Sequence, residues 1–180
     1  MKIVIYNNQR DLLIYRNNLK NRKFGKEAPQ NFDAHFSSGR SISLPEIEKL
    51  VFLVLKRLKA TCDEVILHFV TKKKISEIHK IYFNDPTPTD CISFPIDSPS
   101  SKIKGYKVLG EVFVCPKVAM EYSQSHQIDC CEELGRYIIH GLLHLVGYDD
   151  LAEAQQKKMR QMENRLLNAW IKLIEIEKNN

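Results

Sequence analysis

His140-Gly141-Leu142-Leu143-His144-Leu145-Val146-Gly147-Tyr148-Asp149-Asp150 is the stretch on which the reading of this chain turns. It predicts the end of a helix running from about Asp129 to Val146. An α-helix turns about 100° per residue, so His140 and His144 lie about 40° apart on one face. Gly147 can take a left-handed conformation and stop the helix. The chain then turns back, and a carboxylate at position 150 can reach the two imidazoles. Spacing of the form H-x-x-x-H-x-x-G-x-x-(H/D) is that of a three-ligand metal site.

Three protein ligands leave an open position, which distinguishes a catalytic zinc from a structural one. A water held there is acidified toward hydroxide near neutral pH. His140, His144 and Asp150 are the expected ligands, with Asp149 the competitor at the same turn. Two histidines and a carboxylate suit zinc and also other divalent metals, non-haem iron among them. Histidine pairs at this spacing also arise by accident. Residue 141 narrows the chemistry. Peptidases of the H-E-x-x-H type carry their general base directly after the first histidine; here that position is Gly141, which has no side chain.

Outward from this helix, the chain alternates irregularly between strands and helices. Residues 2–6 predict a strand. Ser43 and Pro45 open a helix to about Ala60. Residues 64–70 predict a buried strand, and residues 75–83 a helix with Ile75, Ile78, Ile81 and Tyr82 on its apolar side. Asn84 to Asp90 form a rigid loop, Cys91–Phe94 a short strand stopped by Pro95, and Tyr106–Cys115 another strand. Pro116 opens a helix to about Ser125, and a last helix runs from about Leu151 to Glu175. Its apolar stripe carries Met159, Met162, Leu166, Leu167, Trp170 and Ile171. Residues 7–42 are polar and read as a surface loop, with a turn or short strand near Leu12–Tyr15. The expected class is α+β: a small mixed β-sheet with helices packed on it, and the metal site on a central helix and the turn after it.

The 180 residues, 43% apolar and 27% charged, suit one soluble domain over residues 1–180, with about 9–40 a variable loop-rich segment. The longest apolar run, Leu50–Leu55, is too short to span a bilayer, and the N-terminus lacks the features of a signal peptide. A cytoplasmic location is the default expectation. Five cysteines without a C-x-x-C pair predict free buried thiols and no cysteine-based zinc site. The net charge of +5 gathers around Lys20, Arg22, Lys23 and Lys26, around Lys72-Lys73-Lys74, and around Lys102, Lys104 and Lys107. Such clusters permit a polyanion such as RNA, with Lys72, Lys73 and Lys74 as candidates to bind it. Ordinary solvated lysines would look the same.

Several blocks together resemble one family. His140-Gly141-x-Leu143-His144-Leu145-x-Gly147-Tyr148-Asp149 is similar to the signature of the YbeY family. Pro88-Thr89-Asp90-Cys91-Ile92-Ser93-Phe94-Pro95 resembles its P-T-D-V-L-S-F-P block. Leu109-Gly110-Glu111-Val112-Phe113-Val114-Cys115 resembles its L-G-D-I-x-I-C strand, and Met159-x-x-Met162-Glu163 its M-x-x-L-E tail. The resemblance covers about residues 43–170 and the opening strand, and does not explain about 9–40. It implies an α+β fold, one zinc ion bound by three histidines, and endonucleolytic cleavage of single-stranded RNA. The implied biology is small-subunit ribosomal RNA maturation and ribosome quality control, with the small ribosomal subunit or its proteins as partners and neither membrane nor DNA expected.

Three positions depart from that pattern. The third histidine falls on Asp150, the helix arginine that follows a tyrosine falls on Phe83, after Tyr82, and an asparagine of the same helix falls on His79. Without that arginine, the charge developing on a phosphodiester must be met by the metal or by a lysine among Lys72, Lys73 and Lys74. Phe83 reads most simply as a core or stacking residue. Thr89, Asp90 and Ser93 can line the cleft, or merely cap their loop. The leading expectation is a metal-dependent endoribonuclease. A ribosome-assembly binding factor with weak or no nuclease activity is the alternative, and a zinc-dependent peptidase the minor one.

Overall fold

The structure is a computed structural model and describes residues 1–7, 42–99 and 105–178. The loop-rich segment of about 9–40, the turn or strand expected near Leu12–Tyr15, and the basic residues Lys20, Arg22, Lys23, Lys26, Lys102 and Lys104 lie outside the described residues.

Strands β1 (Lys2–Asn7), β2 (Glu64–Phe69), β3 (Cys91–Pro95) and β4 (Val108–Val114) form one sheet in the order β1-β2-β4-β3. β1, β2 and β4 run parallel, and β3 is antiparallel to β4, so the sheet is mixed. Among the described residues five helices accompany it: α1 (Leu44–Arg57), α2 (Lys72–Phe83), α3 (Pro116–His126), α4 (Cys130–Leu145) and α5 (Glu153–Lys178). The α+β expectation matches this architecture.

The alternation along β2 explains the layering. Val65, Leu67 and Phe69 are buried and join the main core with α1, α4 and α5. A smaller core, built from Val70, Ile75, Ile78, Ile92 and Cys115, packs α2 at the β3 side of the sheet. In the main core Trp170 is fully buried, and its indole N–H donates to the Glu46 carbonyl at 3.1 Å, which satisfies the one polar atom of that ring.

Helix ends follow local chemistry. Ser43 and Glu46 form a reciprocal capping box at the start of α1. That helix ends at Arg57, short of Ala60, because Lys59 adopts a left-handed φ of 53°. Thr71 caps α2, so the helix starts at Lys72 rather than residue 75. Its apolar side is Ile75 and Ile78 alone. Ile81 and Tyr82, expected on that side, are 74% and 63% exposed, and Tyr82 meets the sheet only through the Phe94 ring of the edge strand β3, centroids 4.7 Å apart. Lys107 also differs from its reading as a surface charge. It is buried, and its ammonium donates to the Pro99 carbonyl at 2.7 Å. All five cysteines are free thiols, but only Cys115, Cys130 and Cys131 are buried; Cys62 and Cys91 are half-buried.

Candidate metal centre

α4 crosses the sheet against β3 and β4, and it can do so closely because residue 141 has no side chain. A Cβ on Gly141 would lie 2.3 Å from Val112 Cγ1 and 3.2 Å from Ser93 Oγ. The Ser93 hydroxyl donates to the Gly141 carbonyl at 3.0 Å, lashing β3 to the helix. The glycine that removed the peptidase base is thus a packing requirement.

α4 stops where the sequence places the stop. Gly147 has a φ of 94°, its N–H donates to the His144 carbonyl at 3.0 Å, and the Tyr148 N–H donates to the Leu143 carbonyl at 3.0 Å. These paired bonds make a Schellman turn. The turn also carries a function: the Tyr148 carbonyl it presents accepts a hydrogen bond from His144 Nδ1 at 3.0 Å. A carbonyl can only accept, so the proton of His144 sits on Nδ1 and its Nε2 offers a lone pair.

His140 is oriented the same way from another element. Its Nδ1 donates to the Glu163 carboxylate of α5 at 2.8 Å. The two Nε2 atoms face each other at 3.0 Å, and the Asp150 carboxylate lies 3.5 Å from His140 Nε2 and 3.8 Å from His144 Nε2. Two lone pairs and a carboxylate converge on one point, which suits a cation. For comparison, two nitrogens bound at 2.0–2.1 Å to one tetrahedral zinc lie about 3.3 Å apart. The residues present therefore fit a divalent ion. Asp149, the competing carboxylate, is turned to other work, and its Oδ1 accepts from the Asp150 N–H at 2.8 Å.

Electrostatics support the same point. Burial pulls the His140 imidazolium down, but the Glu163 hydrogen bond and the charges of Asp90, Glu163 and Asp150 outweigh it and raise its pKa above the ordinary value. The Glu163 side chain is 4% exposed. Burial favours its neutral form, yet the His140 bond and the charges of Arg160, His140 and Arg136 leave its pKa lowered. Its second oxygen, Oε2, makes no hydrogen bond of good geometry but lies 3.1 Å from Arg160 Nη1 and 3.6 Å from Arg136 Nη1.

The centre opens into a cleft of ≈ 750 Å³ with His79, Phe83, Asp90, Arg136, Asp150 and Arg160 among its walls. Thr89, Asp90 and Ser93 line it as well. Phe83 is 59% exposed at this cleft, with its ring 5.3 Å from that of His79, so it is not a core residue. Lys72, Lys73 and Lys74 are not brought to the cleft. They form the first turn of α2, at the end opposite Phe83, and Lys72 and Lys74 pair with Glu121 and Glu77. The cations that do line it, Arg136 and Arg160, were not singled out by sequence reading.

A family model described as "Endoribonuclease YbeY" matches residues 34–171. The chain belongs to the YbeY family. A protein of Protochlamydia amoebophila named endoribonuclease YbeY is 47% identical over 131 residues, 73% of this chain and 86% of its own length. One of the same name from Chlamydia pneumoniae is 40% identical over 129 residues, 70% of this chain and 81% of its own. A solution structure of a Thermotoga maritima protein aligns with a TM-score of 0.55 over 77% of this chain and 89% of that one; at 22% identity it speaks for the fold alone. Within the YbeY frame, Asp150 stands at the position read as the third histidine, with its oxygens turned to both imidazoles.

In the sequence Glu163 stands only as the end of the Met159-x-x-Met162-Glu163 block. A physical signal marked it: Met159, Glu163, Leu166 and Trp170 share one face of α5, and a carboxylate there is buried. No ligand spacing marks Cys91 in the sequence, yet folding brings it beside Asp90 and His140. Among the described residues no helix is long and apolar enough to cross a membrane.

Proposed function

We propose that this protein is a metal-dependent endoribonuclease of single-stranded RNA, acting in the cytoplasm on small-subunit ribosomal RNA during maturation and quality control. The observation that carries the metal requirement is the convergence of His140 Nε2, His144 Nε2 and the Asp150 carboxylate, with both Nδ1 atoms held by other acceptors. Those three residues would hold one divalent ion, zinc by donor type. Such an ion, when bound, supplies Lewis acidity to the phosphodiester and to water.

The chain's own residues do the rest. Glu163 and the Tyr148 carbonyl fix the imidazole rings, and Asp150 adds a carboxylate at the turn. Arg160, whose side chain is 66% exposed, and Arg136 place positive charge on the wall where a phosphate would sit. This is the cationic role first sought in Lys72–Lys74. Phe83 offers an exposed ring on which an unpaired base can stack, which favours single strands over duplex. One domain spanning residues 1–180 remains the reading of its organisation.

Metal-loaded protein is expected to cut single-stranded RNA internally and leave duplex RNA and single-stranded DNA intact. The double variant His140→Ala/His144→Ala is expected to lose both metal and cleavage. Wild-type protein that carries its metal yet leaves RNA as intact as the double variant does would sink the enzymatic reading. The rival, a ribosome-assembly factor with little nuclease activity, draws support from Arg136 being held by Glu133, Glu163 and Asn164, which leaves less of it for substrate. It predicts unchanged ribosome association in His140→Ala with no cleavage in either protein. A zinc peptidase lacks support, because Gly141 has neither a base nor room for one.

A further inference from the structure

Cys91 is the first residue of β3 and sits directly after Asp90, the last residue of the loop from α2. One ligand atom each from Asp90, Cys91 and His140 lie within 4.8 Å of one another, as do those of His140, His144 and Asp150. All three residues are half-buried, so the group is reachable from the cleft that Asp90, Cys91 and His140 line together. Asp90 is already oriented: its Oδ1 accepts from the Cys91 N–H at 2.8 Å and from the Thr89 hydroxyl at 2.8 Å. The Asp90 carbonyl is fixed as well, by the Cys115 N–H at 2.9 Å. The thiol therefore stands on a rigid strand end beside an imidazole and a carboxylate.

We propose that Asp90, Cys91 and His140 form an alternative, sulfur-containing seat for a thiophilic divalent ion such as zinc, cadmium or cobalt. The proposal rests on reading the cleft as a metal centre, and adds to it a choice of position. Both donor sets need His140, and its Nδ1 is committed to Glu163, so they are two seats for one ion rather than sites for two. The His140–His144–Asp150 seat offers nitrogen and oxygen only. A thiolate shifts selectivity toward soft and borderline cations and away from magnesium and manganese. When the ion enters this seat, the S–H bond breaks, the proton leaves to solvent, and the sulfur lone pair forms the bond to the metal, with no change of oxidation state.

Cobalt(II) titration of the full chain tests this, because a cobalt–thiolate bond adds a sulfur-to-metal charge-transfer band in the near ultraviolet beside the visible ligand-field bands. The band is expected in the wild type, in Cys62→Ser and in His144→Ala, and is expected to vanish in Cys91→Val and in His140→Ala. Near-ultraviolet circular dichroism confirms that each variant is folded. Cadmium NMR of the unaltered protein reads sulfur coordination without any substitution, and a sulfur-type shift is expected there. Ligand-field bands without the charge-transfer band, or a band that persists in Cys91→Val, overturn the proposal and leave the His140–His144–Asp150 reading standing. Wild-type protein that binds no cobalt overturns both.

Discussion

Glu163 on α5 accepts a hydrogen bond from His140 Nδ1 on α4 at 2.8 Å, across 23 residues of chain. The bond sets which imidazole nitrogen faces the cleft. Glu163→Gln keeps the shape but removes the charge that strengthens this bond. Groups in this outer position typically contribute 10–100-fold to metal affinity. A loss of about that size is expected in chelator competition for zinc. An affinity equal to wild type would show that His140 is oriented without Glu163.

Gly141 lets α4 lie close against Val112 of the sheet. Gly141→Ala gains about 1 kcal/mol of helix propensity, but its Cβ would lie 2.3 Å from Val112 Cγ1, both positions being buried. Overpacking of this kind costs about 1–3 kcal/mol, so the variant is expected to melt earlier. Val112→Ala removes the obstructing methyl, so the double variant should be less destabilised than the sum of the singles. Additive losses in thermal or urea unfolding would count against this contact.

Gly147 has open space where a Cβ would go, so its constraint is the backbone alone. At a φ of 94°, alanine is expected to cost about 1–2 kcal/mol, and asparagine less. Because the same turn aims the Tyr148 carbonyl at His144, Gly147→Ala should also weaken metal binding. A loss of stability without any change in zinc affinity would separate the two roles.

Arg160 is expected to act on RNA through phosphate. Arg160→Glu should lower single-strand affinity, and the slope of log affinity against log salt should fall by about 0.7, one contact's share. Lys73→Glu, on the far turn of α2, should change neither by much. The reverse order in filter binding or fluorescence anisotropy would return the lysines of α2 to the interface.

Thiol reactivity should separate the cysteines by pH. Burial above all pushes the Cys130 thiol up to about 11, over the lowering by its Ser123 hydrogen bond, and the charges of Asp129 and Glu133 add smaller raises. Its thiolate is therefore scarce until pH approaches that value. Alkylation of the native protein at mildly alkaline pH, followed by peptide mass mapping, should leave Cys130 unmodified while the half-buried Cys62 reacts. Early labelling of Cys130 would mean that α4 opens locally at its first turn.

Much of the fold was legible because its signals are local. Ser43, Thr71 and Asp129 each accept from an early helical N–H and start α1, α2 and α4. The misreadings have a common cause. Ile81 and Tyr82 continue the apolar pattern of α2, but the fold leaves both mostly exposed. Lys107 looks like a solvated charge, yet the chain covers it and pairs it with a carbonyl.

The sequence by itself determined the histidine pair and its stop: His140 and His144 share a face by helical geometry, and Gly147 ends the helix because only glycine enters that conformation cheaply. The family followed from blocks of contiguous residues. Tertiary structure decided everything that joins distant segments at the centre. Glu163 from α5, Arg160 from the same helix, Phe83 from the end of α2, and Asp90 and Cys91 from the start of β3 meet at one cleft. No spacing rule links them, because their proximity comes from helices burying apolar faces against one sheet, and the polar groups are carried to the cleft by that packing.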